Sequence, residues 1–296
     1  MSGSTMHLKG HVKDLGGGFT VRRLLPAVQC QAVGPFIFFD HFGPVTVQPG
    51  DSPDVRPHPH IGLATVTYLF SGAMMHRDSL GCVQEIEPGA INWMTAGRGV
   101  VHSERRPESL ADSTYVNHGI QLWTALPLGH EEADPSFVHT PAAAIPQVRV
   151  GDAIVRVLIG SAFGQTSPVA TLSPMVYLDV QLPTGASLEI PPLAQEMAVY
   201  TVDSPVQLNG DTVGSQLLAV VNGGEPVQLS APGEAAARLM VIGGDALDAP
   251  RHMWWNFVSS RKERIVKAAH DWEAQALGRV PGEVEWIALP ERRFSA

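Results

Sequence analysis

A chain of 296 residues, 44% hydrophobic and 17% charged, is globular in composition and long enough for two ordinary domains or one large one. Its formal charge of −9 excludes a nucleic-acid backbone or an anionic membrane surface as the main partner, because both demand a basic footprint. Two cysteines, Cys30 and Cys82, are too few for a disulfide framework, and no apolar run approaches the length of a membrane span.

The start of the chain, Met1 to Thr5, shows no charged stretch followed by an apolar one, so a cytoplasmic location is the expectation. Gly16-Gly17-Gly18 reads as a turn. Residues 21–26 and 36–39 read as strands, the second stopped by Asp40-His41-Phe42-Gly43-Pro44. Strands then follow at short intervals over 65–70, 73–78, 82–86, 91–94, 100–104 and 119–124, rich in β-branched and aromatic residues. The chain carries 29 glycines and 24 prolines without a strict period, and these punctuate the strands as turns do. Such a pattern belongs to an all-β sandwich or barrel.

A charged, proline-punctuated segment from Leu126 to Pro135 and the connector Pro141-Ala142-Ala143-Ala144-Ile145-Pro146 mark a boundary. The expected domains are residues 1–140 and 141–296. The second half again reads as strands, over 153–159, 175–181, 187–190, 198–202, 217–221 and 238–242, which suggests a duplicated barrel. One helix stands near the end. Ser260-Arg261-Lys262-Glu263 fits a capping box, Gly278 fits the residue after the helix, and Ile265, Ala269, Trp272 and Ala276 form one apolar stripe.

Chemistry concentrates at two short motifs, His58-Pro59-His60 and His102-Ser103-Glu104. In a strand, residues i and i+2 point to the same face, so each pair projects both side chains to one side of a sheet. One His-x-His arises readily by chance; a second pair of the same geometry, with a carboxylate, makes three imidazoles and one acid that can converge on a metal. Mixed nitrogen and oxygen donors without thiolate suit Fe(II), Mn(II), Ni(II) or Co(II) as well as Zn(II), while raw affinity favours Cu(II) or Zn(II). Glu104 has a potential second use as a general base, beside the plain reading as a structural ligand. His41, His76, His118 and Trp93-Met94 are pocket-lining or packing residues; His7, His11, His130, His139, His252 and His270 are bystanders. Ten of the twelve histidines lie at or before His139 and none lies between Thr140 and Arg251, so a comparable cage in the second half is excluded and the chemistry is N-terminal.

His58-Pro59-His60-Ile61-Gly62, the run from Asn92 to Glu104 (NWMTAGRGVVHSE), Pro35 to Gly43 and Gln121-Leu122-Trp123 together resemble the pirin family of the cupin superfamily. The resemblance implies two cupin-type (jelly-roll) β-barrels in tandem with a C-terminal α-helix, with metal only in the first. It implies that His58, His60, His102 and Glu104 hold iron, Fe(II), as the single divalent ion. Some pirin-like proteins are assigned quercetin 2,3-dioxygenase activity, opening a flavonol ring with O₂ and releasing carbon monoxide; others are described as redox-sensing regulators that dock a transcription factor or metabolic enzyme. The expected partners are therefore a small aromatic substrate and O₂, or a protein, with the chain a monomer. Two departures stand out: Ala64 and His41 occupy positions where the family usually has Glu.

Overall fold

In a computed structural model the described residues are 5–15, 19–233 and 235–294. The turn expected at Gly16-Gly17-Gly18 lies outside them. The chain forms two compact units, one of Val12–Val21, Asp40–Ala142 and Leu247–Ala296, the other of Met1–His11, Arg22–Phe39 and Ala143–Ala246. These are the first and the second sandwich.

The N-terminal strands are β1 (Met6–Lys9), β2 (His11–Asp14), β3 (Thr20–Leu25), β4 (Phe36–Val47), β5 (Val55–His60) and β6 (Leu63–Ser71). They continue with β7 (Met74–Asp78), β8 (Val83–Ile86), β9 (Ile91–Thr95), β10 (Val100–Arg105), β11 (Tyr115–Ala125) and β12 (Ser136–Thr140). The strands of the first sandwich fall in a seven-stranded sheet ordered β12-β9-β6-β11-β4-β3-β2, of which Arg22–Leu25 and Phe36–Phe39 count with the other unit, and in a four-stranded sheet ordered β5-β10-β7-β8. Strand β6 is buried almost throughout, as its Ala64–Phe70 composition requires. Strand β4 differs from expectation: it runs on through Asp40 to Val47 instead of stopping at Asp40, because Asp40 to Phe42 are buried ladder residues. At Gly43, the expected turn point, the left-handed φ of +74° would bring a Cβ within 2.1 Å of the Asn117 carbonyl, so only glycine continues the strand there.

The second sandwich repeats the plan. Its seven-stranded sheet runs β1, Leu217–Val221, Glu196–Thr201, Ala237–Gly244, Met175–Leu182, Ala153–Ile159, Gln147–Val150. Its four-stranded sheet runs Ser187–Ile190, Val227–Ser230, Val206–Leu208, Asp211–Val213. Both small sheets follow one order in chain terms, so the duplication suspected from strand spacing exists at the level of topology. The inward residues of the second sandwich form a continuous apolar core, among them Leu188, Ile190, Val206, Leu208, Val227 and Leu229.

The units are discontinuous along the chain, unlike the single cut expected after residue 140. Strand β1 pairs with Leu217–Val221 (Met6 opposite Val220), the edge of the second sandwich. Helix α1 (Lys262–Glu273) groups with the first, where Ile265, Ala268, Ala269 and Trp272 pack against Ile61, Val101 and Phe257. The helix ends differ from the sequence reading as well. Ser260 does not cap α1: its hydroxyl and amide donate to the Glu131 carboxylate at 2.8 Å each, and Arg261 takes the N-cap without a side-chain bond. At the other end Gln275 (φ 54°), not Gly278, takes the left-handed position after the helix. Ala276 therefore lies beyond the helix and is exposed, and Ala268 joins the stripe in its place. Among the described residues no helix is long and apolar enough to cross a membrane.

Candidate metal centre

Strands β5 and β10 are neighbours, antiparallel, with His102 opposite His58 and Val100 opposite His60. Directly opposed residues share a sheet face, so the alternation that places His58 with His60 also places them with His102. The turns at the ends of these strands need glycine. Gly62, two residues after His60, has φ +70°, and a Cβ would come within 1.9 Å of the Val258 carbonyl. Gly97, before β10, has φ +50° and the same separation from the Ala133 carbonyl. Both backbones approach where no side chain fits.

The outer face of the same strands is strapped down. Val101 packs under α1, and Ser103 and Arg105 reach the Glu283 carboxylate. Arg105 also bonds Glu285 at 2.6 Å, and the Ile287 amide donates to the Pro57 carbonyl at 2.8 Å. The Ile287 carbonyl in turn accepts from the Trp272 indole at 3.0 Å. Helix α1 and the segment after it thus brace the strands from behind while the histidines face inward.

One ring nitrogen from each of His58, His60 and His102 lies within 4.8 Å of the others. The ring centroids are 4.3 to 5.0 Å apart, and the three residues are 7%, 1% and 2% exposed. His58 Nδ1 lies 2.8 Å from the Arg56 carbonyl and so carries the proton, leaving Nε2 as a lone-pair donor. His60 Nδ1 and His102 Nε2 are buried and have no hydrogen-bond partner. A buried polar atom left unpaired costs about 1–3 kcal/mol, so unpaired imidazole nitrogens grouped together are what a cation would satisfy. The donor set fits a divalent metal.

The electrostatics agree. Burial pushes the His58 pKa down to about 4, against a weaker upward pull from the Arg56 carbonyl. Burial and the neighbouring imidazoles hold His60 and His102 well below the usual histidine range. All three are neutral at pH 7, the form that binds metal. The Glu104 carboxyl is pushed up to about 7 by burial.

Glu104 stands differently from the histidines. It lies outside the group of mutually close ligand atoms and is half-buried. A register shift falls between His102 and Glu104, pairing Glu104 with Val55 on the β5 side, while on the β7 side it remains opposite His76. The sequence pair thus lies on one strand, with a register irregularity between its members confined to the β5 side.

Two further contacts complete the chamber. The Trp123 ring of β11 meets His60 edge-on at 5.0 Å, and Phe137 of β12 stacks on His76 at 4.2 Å. His76 belongs to the site itself: its Nδ1 is 3.4 Å from His102 Nδ1 and its Nε2 is 2.9 Å from Asp78 Oδ2. The signal was present in the sequence, since His76-Arg77-Asp78 repeats the i, i+2 spacing of the two ligand pairs. His41 and His118 instead pair with each other, Nε2 to Nε2, at 2.7 Å, and His139 bonds Asn92. Trp93 is buried, its indole donating to Thr95. Ala64 is fully buried in β6, in register with Thr95 and Thr124.

Two seven-plus-four sandwiches with a three-histidine cluster inside the first define a bicupin with a candidate metal centre. Comparison places it further. The pirin family model matches residues 18–124 and the model of the pirin C-terminal cupin domain matches residues 177–278. A pirin-like protein of Caulobacter vibrioides is 43% identical over 94% of this chain and 96% of its own. The chain belongs to the pirin family. A crystal structure of quercetin 2,3-dioxygenase from Acinetobacter baumannii covers 99% of this chain and 97% of its own, with TM-score 0.91 and 32% identity. A bacterial pirin of Escherichia coli in complex with nickel(II) shares the fold, covering 82% of this chain and 100% of its own, with TM-score 0.64 at 15% identity.

Proposed function

We propose that this pirin is a mononuclear metal enzyme of the quercetin 2,3-dioxygenase type, which opens the heterocyclic ring of a flavonol-like substrate with O₂ and releases carbon monoxide. The observation that carries the reading is the cluster of three buried, neutral imidazoles with two unpaired ring nitrogens. The likeness to the Acinetobacter baumannii dioxygenase over nearly the whole chain supports the choice of chemistry. His58, His60 and His102 would hold the ion in the first sandwich, with Glu104 as the fourth ligand. Iron(II) is the metal proposed, with Mn, Ni, Co, Cu and Zn as competitors for the same donors. When bound, the ion would supply Lewis-acid and redox chemistry toward substrate and O₂.

The chain's own groups have separable tasks in this reading. Glu104, with a proton affinity matched to neutral pH, accepts the proton of the flavonol hydroxyl at a carboxylate oxygen. Trp123 and Phe137 give the chamber apolar walls that exclude water and suit a flat aromatic substrate. The second sandwich, apolar inside, takes no metal. The site lies within the protein and the chain is proposed to work in the cytoplasm.

Aerobic incubation of the iron-loaded protein with quercetin tests the proposal, following loss of the flavonol absorbance and release of carbon monoxide. Turnover that disappears in His102→Leu supports it. No turnover with Fe, Mn, Ni, Co or Cu loaded overturns it for flavonols and turns attention to a redox-sensing role toward a protein partner.

A further inference from the structure

We propose that His76 and Asp78 form a hydrogen-bonded relay that fixes the tautomer of His102, leaving its Nε2 lone pair toward the metal. This rests on the reading of the three histidines as ligands and adds two positioning residues to them. The relay begins at the backbone. Asp78 is fully buried, and its Oδ1 accepts from the Leu80 amide at 2.9 Å and the Cys82 amide at 3.1 Å. Its other oxygen, Oδ2, lies 2.9 Å from His76 Nε2. A carboxylate only accepts, so His76 Nε2 must donate, and the tautomer with its single proton there presents a lone pair at Nδ1. That lone pair faces His102 Nδ1 at 3.4 Å, so His102 Nδ1 must carry the proton. His102 Nε2 is then bare, and it is one of the two buried ring nitrogens of the cluster that lack a partner.

Two features hold the relay in place. Stacking on Phe137, with rings 17° from parallel, holds the plane of His76. The register sets His102 opposite Asp78 and Glu104 opposite His76, so all four side chains share the inner face of the small sheet. A partner that orients a ligating imidazole is worth about 10- to 100-fold in metal affinity.

The geometry makes Asp78→Asn a directional test. The Leu80 and Cys82 amides would hold the carboxamide oxygen, turning its NH₂ toward His76 Nε2. His76 would then accept at Nε2 and donate from Nδ1, and His102 would be left protonated at Nε2, where the metal belongs. Zinc(II) affinity, measured by competition with a chelating dye, is expected to fall about 10- to 100-fold in Asp78→Asn. His76→Phe keeps the stacking and removes the relay, so its loss should be equal or smaller. Once His76 is gone, Asp78→Asn should cost nothing further: the double variant should bind like His76→Phe alone. Additive losses would mean ordinary packing and would overturn the relay. Long-range proton–nitrogen NMR of the wild-type protein, metal-free and zinc-loaded, reads the same claim without a variant. His102 protonated at Nδ1 and His76 at Nε2 are expected. His76 protonated at Nδ1, or His102 at Nε2, would overturn the relay while zinc binding itself stood. A wild-type protein that binds no zinc would remove the ligand reading and the relay together.

Discussion

The small sheets of the two sandwiches share one strand order and differ in what they turn inward. In the first, the inner positions are His58 and His60 on β5, His102 on β10, and His76 and Asp78 on β7. In the second, the corresponding strands turn Leu188 and Ile190, Val227 and Leu229, and Val206 and Leu208 into an apolar core. The ladders are alike because backbone hydrogen bonds and turn glycines are indifferent to which side chain points inward. The face decides the use. A Leu/Val face contributes about 25 cal/mol per Å² of buried apolar surface. An imidazole face gives up that gain and leaves buried nitrogens unpaired, which is tolerable only where a ligand meets them. The first sandwich carries external bracing that fits this loss: α1 and the segment through Ile287 press on the back of β5 and β10.

Exchanging the faces should break the comparison most sharply. His60→Leu, which gives β5 the character of its counterpart, is expected to lower metal affinity more than about 100-fold by equilibrium dialysis. The same change should raise the melting temperature of the metal-free protein, since it replaces an unpaired buried nitrogen by apolar contact. The converse holds in the second sandwich. Leu229→Ala should cost about 2–5 kcal/mol in denaturant unfolding and leave metal affinity untouched.

Acid should separate the two faces next. His58, His60 and His102 have folded pKa values below the unfolded value, so the unfolded chain binds more protons as pH falls. Stability of the metal-free protein should therefore decline as pH drops from 6.5 through about 4, His58 alone contributing on the order of 3 kcal/mol. Glu104 has the opposite sign: raised from 4.5 to about 7, it contributes stability that is lost as pH rises through that window. Glu104→Gln should accordingly steepen the gain between pH 4.5 and 7 in pH-dependent melts. If Glu104 is the fourth ligand, the same variant should also flatten the decline of metal affinity below pH 7. The smallest effect is expected at the brace. Glu283→Gln weakens its contacts to Arg105 and Ser103 and should cost about 1 kcal/mol or less, read by thermal melting of the metal-free protein.

Much of the site was legible because its signal is local. The i, i+2 spacing of His58/His60 and of His102/Glu104 needs only a strand to become a shared face, and β5 and β10 supply it. The same spacing at His76 and Asp78 is a weaker signal, since a His-x-Asp pair is less conspicuous than a His-x-His. What local pattern could not carry was any feature fixed by a distant residue. Glu131 captures Ser260 across 129 positions, so the capping box at the start of α1 never forms. Pairing of β4 with its neighbours overrides the turn chemistry of Asp40 to Pro44. The exchange of chain ends, β1 into the second sandwich and α1 into the first, follows from edge pairing and from the apolar backs of Ile61 and Val101. The bulge between His102 and Glu104 is likewise a matter of partner strands, invisible in the motif itself.

Elemental analysis of metal per chain, on protein reconstituted in the metal-free state and then dialysed, tests the central claim most directly. The wild type should carry one ion per chain, and the triple variant His58→Leu, His60→Leu, His102→Leu should carry essentially none while keeping its circular dichroism. An ion retained at full occupancy by the folded triple variant would contradict the account, because the histidine face of the first sandwich would then not be where the metal is held.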